Sequence, residues 1–517
     1  MQNFPATPRV IWMALTAALL AGCTTVGPDF KTPAAPGVQQ YTRQALPAQT
    51  ASAPGVLGGA QQFQTVDSIA PDWWQAYGSA ALDSLVNTAL RSSPTLAAAE
   101  ATLRQAQQTY AAQAGSTLYP TVNGKLGASR NQTNAASVGQ SSNASNIFNL
   151  YNASIAVNYN FDLFGGNRRA LEALAAQANY QQYQLDGARL TLAANVVTTA
   201  FTQAQLGAQI DATEAILKAQ QSQLDIALKR FNLGAAARTD VLTLQTQAEQ
   251  TRASIPPLRN KLEQTDHLLA VLLGQAPGAA NIPRFTLADF NLPQTLPLVV
   301  PSALVQQRPD IQASQALLHV ATAQYGVAVS NLYPQINLSA SLGTQALTLG
   351  ALFGPGSTVW ALAGQLAQPL FNAGLKAGAN AAEASLQAAG ANYQQTVLQA
   401  LRNVADALRA LDNDAQTLQA QAAADTSAQE SLKLVDQQYQ LGAASYLQLL
   451  TAQQQAQQTR IGLISAQAQR LADSAALYQA MGGGVVVSPQ PPEGAHPTLG
   501  RPGSGVAGPH ASASAAR

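Results

Sequence analysis

Little in this 517-residue chain could do chemistry. Its single cysteine, Cys23, excludes an internal disulfide and stands at the end of a short apolar run that closes Leu20-Ala-Gly-Cys23. A thiol placed there is an acceptor for acylation rather than a core side chain. His267, His319, His496 and His510 show no ligand spacing, so no metal is expected. Once residues 1–22 are removed Met481 is the only methionine left, and no thioether ladder for soft metals exists. No Ser/His/Asp triad, phosphate loop or paired-carboxylate cleft stands out. No catalytic residue is assigned, and no cofactor beyond a covalent lipid.

Arg9 followed by Val10–Leu20 is too short to span a bilayer and ends in small residues, the pattern of a signal peptide over 1–22. Leu-Ala-Gly-Cys resembles the bacterial lipobox. That implies cleavage before Cys23, a diacylglycerol on its thiol and an acyl chain on the new amine. Thr24, in place of the Asp of retained lipoproteins, implies the outer membrane. Charge is balanced, with 27 basic and 26 acidic residues, so nothing points to nucleic acid as a partner and none is expected. Only 10% of residues are charged and 47% are hydrophobic, a composition suited to close packing against other copies.

The elements that must position these groups come in duplicate. Thr243–Arg252 aligns with Thr451–Arg460, and Phe231-Asn-Leu-Gly-Ala-Ala with Tyr439-Gln-Leu-Gly-Ala-Ala, at one constant offset. Leu118-Tyr-Pro120 likewise recurs as Leu332-Tyr-Pro334, and Leu163-Phe164 as Leu370-Phe371. Repetition suits a wall of repeated staves, whereas an active site breaks such symmetry. No proline falls between Pro120 and Pro256, or between Pro369 and Pro489, so very long helices are possible. Apolar and small residues recur there at 4-3 spacing: Leu206, Ile210, Thr213, Leu217, Gln220, Leu224 and Ala227, then Val397, Leu401, Val404, Leu408, Leu411 and Leu418. This heptad spacing predicts coiled-coil hairpins that turn at Gly234 and Gly442.

Ahead of each hairpin the period changes to two. Tyr151, Ala153, Ile155, Val157, Tyr159 and Phe161 alternate with polar neighbours, as do Val122–Ala128, Ile336–Leu342 and Trp360–Leu366. Strands of this length with aromatics near their ends match an outer-membrane barrel. Four strands cannot close in lipid, so the chain is expected to oligomerise around a pore. The expected order is leader 1–22, lipidated tether 23–70, first repeat 71–274, linker 275–303, second repeat 304–484 and a disordered tail 485–517. Within the repeats, strand pairs fall at about 119–163 and 333–370, and hairpins at about 166–274 and 373–482. Asp72-Trp-Trp74 is expected to open a short helix that runs to about Arg91, with the tryptophans packed inside.

Cys23-Thr-Thr-Val-Gly-Pro-Asp-Phe30, Asp72-Trp-Trp-Gln-Ala-Tyr77 and above all Leu296–Ile311, which contains Arg308-Pro-Asp310, resemble the TolC-like outer membrane factors. The resemblance is to the lipoprotein branch that serves resistance-nodulation-division efflux pumps, and it covers roughly 23–484. It implies a mixed, mainly α fold: a homotrimer whose 12-stranded transmembrane β-barrel continues into a 12-helix periplasmic α-barrel, with an α/β belt around it. Implied partners are a periplasmic adaptor, an inner-membrane proton-driven transporter and outer membrane lipid. The implied function is passive conduction of small molecules out of the cell. A protein-secretion duct of the same architecture is the alternative, and a surface coiled-coil filament a more distant one.

The resemblance also implies a gate at the hairpin tips. Relatives carry an aspartate where this chain has Thr451, so a fixed carboxylate ring is not expected there; constriction by Leu447 and Leu450, with Gln448 one turn before Thr451, is expected instead. In the other tip, Arg238-Thr-Asp240 retains a carboxylate. Asp240 is expected either to accept a hydrogen bond from Tyr439 or a neighbouring chain, or simply to cap its helix.

Overall fold

The computed structural model describes residues 25–134 and 145–484. The leader, Cys23 and the tail after Gly484 lie outside the described residues. A 3₁₀ turn, Trp73–Tyr77, leads into α1 (Ala80–Ser92) and α2 (Pro94–Thr117), then strands β2 (Thr121–Asn134) and β3 (Ser145–Phe161). Helices α3 (Gly166–Asn232) and α4 (Arg238–Leu272) form the first hairpin. The second repeat has α5 (Pro301–Gln307), α6 (Pro309–Ser330), β5 (Gln335–Ala346), β6 (Thr358–Ala367), α7 (Ala373–Gln440) and α8 (Tyr446–Ala480). Two short strands, β1 (Gln62–Thr65) and β4 (Thr295–Leu298), pair in parallel.

The expected continuous helix from Asp72 is thus broken. Gly78, at φ 68°, ends the 3₁₀ turn, and Ser79 starts α1 by accepting from the Leu82 N–H. The long helices have 67 and 68 residues, each about 100 Å at about 1.5 Å per residue. Their heptad positions are the buried ones: Leu206, Ile210, Thr213, Gln220 and Ala227 in α3, and Val397, Val404, Leu408, Leu411 and Leu418 in α7. Gly234 and Gly442 stop these helices at φ 76° and 75°. The Ala235 N–H reaches back to the Arg230 carbonyl at 2.8 Å, which satisfies a helix-end acceptor. Helix α4 runs through Pro256-Pro257, leaving the Arg252 and Ala253 carbonyls without their usual i+4 donors.

The main core lies mid-way along the hairpins, where Trp73 stacks on Tyr478 (5.3 Å) and Tyr77 and Phe290 each meet Phe201 edge-on (4.9 Å). Around this core the residues read as an extended tether are fastened. The Tyr41 hydroxyl donates to the Val299 carbonyl (2.5 Å), Thr50 pairs with Gln61, and β1 adds to β4. Gln61 donates to Ser474 Oγ (3.0 Å) and the Pro293 carbonyl (2.9 Å). The segment lacks periodicity because its backbone finds partners one at a time.

Candidate functional site

The sheet has the order β2-β3-β5-β6, antiparallel throughout. Its register lines the alternating residues into rows. One face carries Phe161/Ile336/Leu366, Tyr159/Leu338/Gly364, Val122/Val157/Ala340/Leu362, Gly124/Ile155/Leu342/Trp360, Leu126/Ala153/Thr344/Thr358 and Ala128/Tyr151/Ala346. The other carries Asn160/Asn337/Gln365, Thr121/Asn158/Ser339/Ala363, Asn123/Ala156/Ser341/Ala361, Lys125/Ser154/Gly343/Val359 and Gly127/Asn152/Gln345. The six rows of the first face, apolar except for Thr344 and Thr358, lie about 6.8 Å apart along the strands and, at a tilt of about 40°, span about 26 Å, the height of a lipid-facing band. Side chains of that face stand open, Leu126 at 85% and Leu362 at 77%. A sheet greasy on one side and wet on the other is a piece of pore wall. Among the described residues its outer strands, β2 and β6, have no partner on their far sides.

The hairpin tips hold the residues expected to gate. The two return helices start at equivalent positions with unequal caps. Ser445 and Gln448 form a capping box at α8: the Ser445 N–H donates to Gln448 Oε1 (2.7 Å), and the Gln448 N–H to Ser445 Oγ (3.3 Å). At α4 the N-cap is Ala237, without a side-chain bond, and Asp240 sits in the first turn, where its charge favours the helix dipole. Gln448 is therefore committed to its own helix. So is Thr451, whose hydroxyl donates to the Leu447 carbonyl at 2.9 Å.

The hydrogen bond from Tyr439 to Asp240 is not formed within the chain. The Arg230 guanidinium lies over the Tyr439 ring at 5.4 Å, and that ring meets Tyr446 edge-on at 6.4 Å. Asp240 instead acts on Tyr446, whose buried hydroxyl has no partner. Burial, then the nearby Tyr439 and Asp240, push the Tyr446 phenol up to about 12. Leu447 stands exposed beside the buried Leu449, Leu450 is half-buried, and Arg238 is exposed.

Glutamines that sequence reasoning passed over join the hairpins just above the tips. Gln453 of α8 bonds Gln223 of α3, Gln454 of α8 bonds Gln247 of α4 (3.4 Å), and Gln223 also reaches Asp436 of α7 (3.4 Å). The abundance of glutamine in the heptads was the available signal. These contacts are mostly neutral, so they hold the tips without a strong ionic lock.

At the foot of the sheet a third group emerges. The Val26 N–H donates to the Phe164 carbonyl (3.1 Å), just past the end of β3. Arg169 Nη2 binds Asp29 (2.5 Å), its Nη1 binds Glu172 (2.8 Å), Glu172 meets His319 Nε2 (2.8 Å), and the His319 ring stacks on Phe30 at 4.2 Å. Burial alone would raise the Glu172 pKa; the bonds from His319 and Arg169 outweigh it and hold the carboxyl below its usual range. Nothing in the spacing of residues 29, 169 and 319 announced this cluster. Among the described residues no group of His, Cys, Asp and Glu could hold a metal.

Residues 85–275 and 300–483 match the outer membrane efflux protein family. The chain is 29% identical over 483 residues to the toluene efflux pump outer membrane protein TtgC of Pseudomonas putida, with 92% of this chain and 96% of that protein covered. It is equally similar, 29% over 483 residues, to the antibiotic efflux pump outer membrane protein ArpC of the same species. The fold superposes on the crystal structure of the outer membrane protein VceC from Vibrio cholerae with a TM-score of 0.74 at 26% identity, covering 80% of this chain and 99% of the other.

Proposed function

The chain belongs to the outer membrane efflux protein family and is an outer membrane efflux channel; from that premise we propose that three copies form one passive duct. The observation that carries this is the four-stranded sheet, with one largely apolar face and two edges unpaired among the described residues, joined to two long helices of about 100 Å each. Unpaired edges cannot stay open in lipid. Pairing β6 of one copy with β2 of the next gives 12 strands after three copies, and the hairpins continue the wall as a 12-helix tube.

The duct takes its substrates from a periplasmic adaptor and an inner-membrane proton-driven transporter, and supplies a route and a gate rather than energy or catalysis. Small organic molecules such as solvents and antibiotics are the substrate class, as in the names of the relatives. A lipid on Cys23 supports insertion: Val26, three residues on, is already bonded at the foot of the sheet. Acyl chains on Cys23 would then lie within reach of the periplasmic leaflet at the barrel's foot. Closure rests on the tips, with Arg238, Asp240 and Leu447 free to meet neighbouring copies and Tyr439 held by Arg230.

Purified lipidated protein tests the reading by its mass in detergent and by conductance in planar bilayers. A trimer with discrete channel openings is expected. A silent monomer would overturn the duct.

A further inference from the structure

The wet face of the sheet is almost free of charge, and the exception has one sign. Strands β2, β3, β5 and β6 contain Lys125 and Arg130 as their ionisable groups other than tyrosines, and no carboxylate. The sequences joining them, 135–144 and 347–357, add no charged residue. Lys125 lies in the row Lys125/Ser154/Gly343/Val359, opposite in parity to Leu126 and Ile155, and therefore on the wet face. Arg130, paired with Asn149, has the parity of the apolar rows and lies beyond their outer end. The acid next to the strands along the chain, Asp162, directly follows β3 and is engaged by Arg168 (3.3 Å) and the Asn167 and Arg168 N–H groups at the start of α3. Among the described residues Lys125 has no carboxylate within salt-bridge distance.

We propose that Lys125 is a specificity-determining residue of conduction: repeated once per copy, it makes the outer, membrane-spanning part of the duct prefer anions. The inference rests on the trimeric duct proposed above. Its physical ground is an unneutralised positive ring in a low-dielectric wall, which concentrates counter-ions in the enclosed water. Screening sets its range. The Debye length is about 30 Å at 0.01 M salt and about 3 Å at 1 M, so fields from separate copies overlap across the lumen only in dilute salt.

Reversal potentials of full-length lipidated trimers in bilayers, under a KCl gradient near 0.01 M, test this. Wild type is expected to favour chloride. Lys125→Gln should lower the chloride-to-potassium permeability ratio about threefold, Lys125→Glu should invert the preference, and both effects should vanish near 1 M. Arg130→Gln, on the lipid side, should change nothing. Conducting trimers whose ratio ignores Lys125→Glu, or shifts as much with Arg130→Gln, would overturn the role of Lys125. Protein that never conducts in any variant would overturn the duct itself.

Discussion

At the scale of single residues, the second hairpin carries its charge in unusual company. Arg470 has no exposed surface and donates to Leu57 O (3.2 Å), Thr50 Oγ1 (3.3 Å) and Gln61 Oε1 (3.0 Å), so a buried cation fastens the N-terminal strap without a carboxylate. One turn away Asp473 lies against Asp414; burial first, and then the shared hydrogen bond and repulsion, push its carboxyl up to about 7. A raised acid pKa means that the folded state holds the proton more tightly than the unfolded chain. Its contribution is therefore greatest below about pH 4 and is lost as pH rises through about 7. Calorimetry should show Asp473→Asn raising the melting temperature more at pH 8 than at pH 4; equal gains would mean repacking, not titration. Glu172 has the opposite sign: its lowered pKa gives stability present above the ordinary carboxylate value and lost as pH falls through the folded one. Acid should thus free residues 25–31 before the hairpins melt, and Glu172→Gln should remove that early step in hydrogen exchange. The signal behind the expectation at Cys23 was legible because it is local. The Asp29, Arg169, Glu172 and His319 cluster was not, because its members meet only after folding.

At the scale of elements, period carried the information. Heptads marked the buried seams of α3 and α7, and alternation marked both faces of the sheet, because each records which side of an element meets water. Polar tips have no such record: within the chain Gln448 completes a capping box and Thr451 bonds its own helix's carbonyl, contacts that no period announces. The unequal caps make a prediction. Ala237→Ser gives α4 the oxygen that Ser445 gives α8 and should stabilise that helix start by about 1 kcal/mol. Ser445→Ala should cost about as much, and exchange of the first-turn amides should respond in each case. Asp240 separates the two roles kept open for it. If it holds a neighbouring copy, Asp240→Ala trimers should open more often in bilayers; if it serves only the dipole of α4, opening should stay at the wild-type level while the helix start frays.

For the whole molecule, the decisive fact is that neither face of the sheet can be understood from one chain. Duplication was readable from the sequence and so was the need for partners, but the lines of contact between copies are not written in any period. What the register does fix is which residues meet lipid. Leu362 and Ala363 are neighbours on the edge strand β6, in rows that run Val122/Val157/Ala340/Leu362 and Thr121/Asn158/Ser339/Ala363. The first row is near the middle of the apolar band and the second faces water. Leu362→Arg should therefore cost about 2–4 kcal/mol in each copy, a penalty that three copies share in one assembly. Ala363→Arg, one residue further, adds charge to the wet face and should leave the trimer intact. Trimer yield from outer membranes separates the two variants. Equal loss would mean that the edge strand is buried against protein on both sides, and the sheet would then be no part of a membrane wall.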